Sequence, residues 1–402
     1  MRTKETFNHA LVDSATREDL FQVVTYQKFP LTVVRGRGAW VETTDGQRFL
    51  DLYGGHAVAA TGHCHPHVVA ALKEQAERLL FYSNVVYSDV RAQAAEKLVQ
   101  IAPRPLAKVF FCNSGTEANE NAMRMARLAT GRERIITFTG SFHGRTADAI
   151  SATFLGKYRD LGRPNVPGHL CAEFGSIESV ERLADEKVAA ILIEPIQSMA
   201  GVRMAEPEFY EKLRALCDER GIALIFDEVQ TGVGRTGTWF FAGSEAAGGV
   251  VPDILTLAKA LGSGVPVGAC LASERIASAI RLNDLGTTFG GGMLAMAAVV
   301  ATLEAIERDA LMENVRRVEA HLRRRLADFS EVKGVRGRGF LLGVEFVSDV
   351  AGRLQKRLLE AHIITGTSSD PRVLRLLPPL CLSESEVELF VEHLRAALDE
   401  IA

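Results

Sequence analysis

Short, mostly apolar runs that stop abruptly at polar residues recur along the chain. Ala107–Cys112 runs into Asn113-Ser114-Gly115-Thr116, and Arg134–Phe138 into Gly140-Ser141-Phe142-His143-Gly144-Arg145-Thr146. Val188–Ile193 stops at Glu194-Pro195, and Ile222–Phe226 stops at Asp227-Glu228. Runs of this length, bounded by turn residues, predict strands buried on both faces, as in a parallel sheet covered by helices. Helical patterns lie between and after them. One is predicted from Pro66, a residue suited to a first helical position, to about Leu80. Others are predicted over Glu117–Ala129, Met312–Asp328 and Ser383–Ile401, with a polar helix near Ser14–Tyr26. Gly38–Asp51 reads as a hairpin turning at Asp45-Gly46.

These elements predict an α/β protein with a mostly parallel sheet covered by helices. From about Leu311 the composition shifts to charged amphipathic helices flanking Gly334–Phe346 and Val373–Pro379, which predicts a smaller α+β domain. The expected division is residues 1–60 as an arm and hairpin packing with the small domain, 61–308 as the large domain, and 309–402 as the small domain.

Composition narrows the picture. A net charge of −4 offers no basic field for nucleic acid or acidic lipid, so neither is expected as a partner. No apolar run reaches membrane-spanning length. The six cysteines show no paired spacing and read as reduced core residues of a cytoplasmic protein. Met1-Arg2-Thr3-Lys4-Glu5 carries no apolar signal core, so no leader is expected.

The chemistry concentrates at strand ends, where ligands sit in open α/β sheets. Asp227 closes one strand, and Lys259 follows a second apolar run, Ile254–Ala258. An anion and a lone amine aimed at one crevice suit pyridoxal phosphate. The amine joins the aldehyde as an imine, and the carboxylate keeps the pyridine nitrogen protonated. An aspartate at a strand end also serves as a turn former, and a loop lysine as a solvated charge. The turn Asn113–Thr116 ahead of a helix suits a phosphate, or an ordinary helix cap.

Two motifs point elsewhere. Gly232-Val233-Gly234-Arg235-Thr236-Gly237 matches the dinucleotide fingerprint by letter, but Thr238-Trp239-Phe240-Phe241 does not begin the helix that a pyrophosphate requires. His63-Cys64-His65-Pro66-His67 has metal-ligand residue types. A helix beginning at Pro66 points His65 and His67 apart, so no metal is expected.

Together, six motifs resemble class III aminotransferases, the pyridoxal phosphate enzymes of fold type I, over nearly the whole chain. They are Gly-His-Cys-His-Pro at 62–66, Asn-Ser-Gly-Thr-Glu-Ala-Asn-Glu at 113–120, Phe-His-Gly-Arg-Thr at 142–146, Glu-Pro-Ile-Gln at 194–197, Phe-Asp-Glu-Val-Gln-Thr-Gly at 226–232 and Ala-Lys-Ala-Leu-Gly at 258–262. The chain looks most like the acetylornithine and ornithine group. The resemblance implies that Lys259 joins the cofactor and shuttles protons, that Asp227 binds the ring nitrogen, and that Gln230 binds the ring hydroxyl. It implies that Phe142 and Val229 stack on the ring, and that Gly115 and Thr116 hold the phosphate. Thr288 of a neighbouring subunit completes that cradle, which implies a homodimer with shared sites. Arg145 and Arg375 are implied as carboxylate binders, and Tyr26 as a residue of the substrate entrance. The implied partners are a small amino donor and a 2-oxo acid, with transfer to 2-oxoglutarate in ping-pong fashion. Another pyridoxal phosphate reaction on the same scaffold (a decarboxylase, aminomutase or racemase) and a non-catalytic homologue remain open at this point.

Three departures stand out against that resemblance. His56 replaces an aromatic or apolar residue. Gly290-Gly291-Gly292-Met293 replaces Gly-Gly-Asn-Pro. Ser198-Met199 stands where most members have Gly-Glu, a glutamate that masks the arginine matched by Arg375.

Overall fold

A computed structural model describes residues 13–401. Its centre is a seven-stranded sheet. In spatial order the strands are Leu106–Cys112, Gly268–Ser273, Ile254–Leu257, Ala223–Asp227, Val188–Ile193, Arg134–Phe138 and His169–Ala172. Gly268–Ser273 runs antiparallel to both neighbours, and the remaining pairings are parallel. Every residue of Val188–Ile193 and Ala223–Asp227 is buried, which is why both read as unbroken apolar runs. The pairing brings Cys112, Phe138, Ile193, Asp227 and Leu257 to one edge of the sheet. The strand Gly-Ala-Cys-Leu-Ala-Ser between them is buried throughout, and a Cβ on its Gly268 would clash with the Ser114 carbonyl oxygen.

A second, antiparallel sheet is built from Val332–Arg338, Leu341–Phe346, Val373–Leu376 and Gly366–Thr367. The helix Leu311–Leu326 covers it with Leu311, Val315, Val318, Leu322 and Leu326, one buried stripe at helical spacing. The hairpin Trp40–Thr43 and Arg48–Asp51 belongs to a third sheet. There Arg48–Asp51 pairs in parallel with Ile363–Ile364, so the beginning of the chain is stitched to its last quarter. One apolar cluster joins Phe226 and Leu257 of the large sheet to Phe340 and Leu376 of the C-terminal elements, and a second packs Ile225 and Ile254 with Ala118 and Met123.

Several local readings are sharpened. The first helix is Ser14–Phe21, capped by Asp13, whose side chain accepts the Thr16 N–H at 2.9 Å. It stops short of Tyr26 because Val23-Val24-Thr25 is a β-branched run that crowds a helix. His63, His65 and His67 each reach a different carboxylate, on Asp51, Asp309 and Glu304. The glycine-rich stretch 232–237 is a series of turns with no helix after it. Among the described residues, no helix is long and apolar enough to cross a membrane.

Candidate active site

The edge where the strands end carries a cleft of about 460 Å³. Asp227 forms part of its floor and is only 5% exposed. Its Oδ2 accepts Asn119 Nδ2 at 2.7 Å and meets His143 Nδ1 at 2.8 Å, while its Oδ1 accepts the Val229 N–H at 3.1 Å. A carboxylate can only accept there, so the histidine carries its proton on Nδ1. Asn119 is oriented in turn, donating to the His143 carbonyl at 2.8 Å and accepting from Thr256 Oγ1 at 2.7 Å. Three groups therefore hold the carboxylate, and one of them is itself held by Thr256.

Lys259 follows the next strand, at φ +42°. A left-handed lysine costs about 1–2 kcal/mol, strain of the kind that collects at functional positions. Burial lowers its pKa to about 8, although Asp227 and Glu194 pull the other way. Glu194, from the end of Val188–Ile193, accepts the Phe142 N–H at 2.7 Å. Burial and the nearby Asp227 raise its pKa well above the usual carboxylate range.

At one end of the cleft the helix Gly115–Thr130 begins. Ser114 caps it by accepting the Glu117 N–H at 3.3 Å, and Glu117 Oε2 accepts the Asn113 N–H at 3.0 Å. This reciprocal cap leaves the Gly115 and Thr116 N–H groups without helical acceptors, which suits an anion. Gly115 has to be glycine, since a Cβ would stand 2.8 Å from Val229 Cγ1. Phe142, Val229 and Gln230 also line the cleft. Gln230 Oε1 is buried without a partner. A cationic lysine, an anchored carboxylate, apolar walls, an orphaned amide oxygen and a helix N-terminus fit an aromatic aldehyde phosphate.

The mouth is different. Arg145 is exposed, and its guanidinium lies 5.3 Å from the ring centroids of both Tyr26 and Tyr158 and 6.0 Å from that of Phe142. Arg375 is buried, donating to Tyr53 Oη at 2.7 Å and Ser198 Oγ at 3.1 Å. Neither arginine has a carboxylate within ion-pair distance among the described residues. Glu228 does not supply one. Its carboxylate accepts the Phe241 and Ala242 N–H groups at 2.7 and 2.8 Å, clamping the glycine-rich turns, and burial raises its pKa to about 7. Thr288 is exposed and lies outside the cleft of its own chain, on a loop whose Thr287 Oγ1 accepts the Gly290 N–H at 3.0 Å.

Lys259, Asp227, Gly115, Thr116, Phe142, Val229, Gln230 and Arg145 thus share one cleft. Tyr26 reaches it through Arg145, while Arg375 lies beside Tyr53 and Ser198. The motifs contained Asn119, His143 and Glu194, but their spacing did not reveal what each touches. Tyr53 and Tyr158 carried no signal at all.

Strand-end carboxylate, buried lysine and helix-capped anion cradle define a fold type I pyridoxal phosphate enzyme. The family described as aminotransferase class-III matches residues 21–398, and the chain belongs to it. The protein is a pyridoxal-phosphate-dependent class III aminotransferase. It is 44% identical to an acetylornithine aminotransferase of Methanopyrus kandleri over 96% of this chain and 99% of that one. With the enzyme of the same name from Archaeoglobus fulgidus it shares 43% identity over 95% and 99% of the two chains. The crystal structure of the ornithine aminotransferase from Toxoplasma gondii superposes with a TM-score of 0.89 at 29% identity, covering 96% of this chain and 95% of that one.

Proposed function

We propose that this aminotransferase moves an amino group from an acetylornithine- or ornithine-like donor to 2-oxoglutarate, the two substrates using one cleft in turn. The observation that carries the reading is a pair of guanidiniums, Arg145 and Arg375, without carboxylate partners among the described residues, near one lysine–aspartate floor. A donor and a dicarboxylate acceptor both bring carboxylates for such groups, and a planar guanidinium holds them bidentately. The names and extent of the relatives support the same donor class.

Each residue has a part in this. When bound, pyridoxal phosphate supplies an electron-withdrawing ring that weakens a C–H bond beside the nitrogen. Asp227 holds the proton on the ring nitrogen, itself held by Asn119 and His143. Lys259 Nζ would take the proton of that C–H bond and deliver it to the carbon that was the cofactor's aldehyde carbon. With a pKa of about 8, both its forms are populated near neutral pH. Gly115 and Thr116 receive the phosphate, Phe142 and Val229 pack on the ring, and Gln230 meets the ring hydroxyl. Tyr26 shields Arg145 at the entrance. Thr288 of a second copy completes the phosphate cradle. Its exposure and its place outside its own cleft support a homodimer with shared sites.

The test is a panel of half-reactions with acetylornithine, ornithine, glutamate and simple ω-amines, followed by amino transfer to labelled 2-oxoglutarate. Transfer of the label into glutamate is expected. Release of carbon dioxide or racemisation without transfer would overturn it. Sedimentation as a monomer would remove the role given to Thr288.

A further inference from the structure

The turn after Asp51 is wound against the preference of L-residues. Gly54, Gly55, His56 and Ala57 have φ values of 56°, 57°, 67° and 64°. Glycine adopts this region freely, but histidine and alanine do so at a cost. The turn is held from both sides. Asp51 Oδ1 accepts the Tyr53 and Gly54 N–H groups at 2.9 and 2.8 Å, and the Val58 N–H returns to the Gly54 carbonyl at 2.8 Å. A Cβ on Gly54 would stand 2.7 Å from the Leu377 carbonyl oxygen, so the turn is pressed against the C-terminal lobe.

This strained turn presents one side chain to the mouth. The His56 ring lies 4.7 Å from that of Tyr53, whose hydroxyl accepts Arg375 Nη2. Val58, just beyond, lines the cofactor cleft. His56 is exposed and makes no hydrogen bond to a described residue. The charges that reach it are those of Arg375, Lys259 and Arg145, with Asp51 opposing them.

We propose that His56 is a specificity-determining residue that reads the far end of the amino donor, binding a neutral N-acyl amide there and discriminating against a second ammonium. This rests on the ornithine-type donor proposed above. In the holoenzyme Lys259 is joined to the cofactor, and around His56 the guanidiniums of Arg375 and Arg145 are opposed by Asp51, so the mouth stays positive and a free ammonium beside Arg145 is repelled. Acylation removes that charge and leaves a carbonyl and an N–H. Partial desolvation against the cleft wall, then the nearby cations, lower the His56 pKa, so at neutral pH the ring offers one donor and one acceptor to such a group.

The experiment measures kcat/KM for N-acetylornithine and ornithine on the holoenzyme, with the glutamate half-reaction as reference. The variants are His56→Gly, which keeps the left-handed turn, and His56→Asn, which tolerates it and restores a neutral polar group. In His56→Gly the acetylornithine-to-ornithine ratio should fall about tenfold, the worth of one net hydrogen bond. The acetylornithine rate should fall by a similar factor relative to glutamate, and Asn should restore most of the ratio. Below its lowered pKa the wild-type imidazole becomes a cation that still donates to the acyl carbonyl and repels an ammonium more strongly, so the wild-type ratio should rise on acidification while that of the Asn variant stays flat. An unchanged ratio in the glycine variant, or equal losses on all three substrates, overturns the assignment. A wild type active with glutamate but indifferent to acylation also overturns it, leaving the aminotransferase reading intact. Inactivity with every amino donor would sink both.

Discussion

The floor of the cleft and its mouth are built by different physics. On the floor, Asp227 accepts from three groups on three segments, and Lys259 is buried in a strained backbone that admits few alternatives. At the mouth, Arg145 is exposed and rests on aromatic faces, which attract a cation without fixing its direction. The floor is preorganised for one cofactor, where a displacement of an ångström is costly. The mouth must admit two substrates of different shape, and the soft packing of Tyr26, Tyr158 and Phe142 around one guanidinium allows that. Chemistry common to the family therefore belongs to the rigid region, and substrate choice to the adaptable one.

Changes at the floor should consequently be severe and blind to substrate. Lys259→Ala should reduce turnover by about 10⁴-fold or more, the scale of a lost general base. Cofactor should remain bound without a covalent link, because its phosphate and ring contacts come from other residues. Absorbance of the purified variant with added cofactor checks this, and a persistent protein-bound imine or preserved turnover would reassign the lysine. Asp227→Asn should lower turnover by about 10³-fold with cofactor retained, since a preorganised charge is lost. A loss of only a few fold for either amino donor or acceptor would show that Asp227 does not face the ring nitrogen.

The same contrast explains what could be read in advance. Strands buried on both faces are written as continuous apolar runs, so the sheet, Asp227 and Lys259 were legible. The partners of Asp227 were not, because Asn119 and His143 lie 108 and 84 residues away and only the fold brings them together. Nor was the left-handed turn at Gly54–Ala57 legible. Two glycines permit such a turn, but the force that imposes it comes from Asp51 and from Leu377 in the other lobe. Tyr158 reads as one more aromatic until its ring is found 5.4 Å from that of Phe142.

At the mouth, losses should be smaller and should fall on KM. Arg145→Gln removes a charge-assisted contact worth about 1.5–3 kcal/mol, so KM for a carboxylate-bearing donor should rise about 10- to 100-fold. Turnover at saturation should change far less. An amine without a carboxylate should be indifferent to the substitution. An equal loss for that amine would mean that Arg145 holds the loop together rather than the substrate.

The smallest effect is expected at Met199. The family resemblance puts this residue where a glutamate would mask Arg375 while an ω-amine binds. Its carbonyl accepts the Ser369 N–H at 2.9 Å, and the preceding Ser198 accepts Arg375 Nη1. Arg375 therefore has a hydroxyl, a phenol and a carbonyl as partners but no neutralising carboxylate among the described residues. Glu228 is fully engaged elsewhere. An unmasked arginine should bias the enzyme towards donors with a carboxylate for it, glutamate above all, and against ω-amines that leave it empty. Met199→Glu would place a carboxylate next to Ser198 and restore the mask. A single charge pair of this kind, at about 1.5 kcal/mol or more, predicts that the ratio of single-turnover rates for acetylornithine and glutamate shifts about tenfold towards acetylornithine. The opposing cost is burial of a carboxylate beside apolar packing, and it matters only if the new side chain fails to reach Arg375. A crystal structure of the variant separates the two outcomes. An ion pair between Arg375 and the introduced carboxylate, with an unchanged rate ratio, would show that masking has no part in this enzyme's choice of donor.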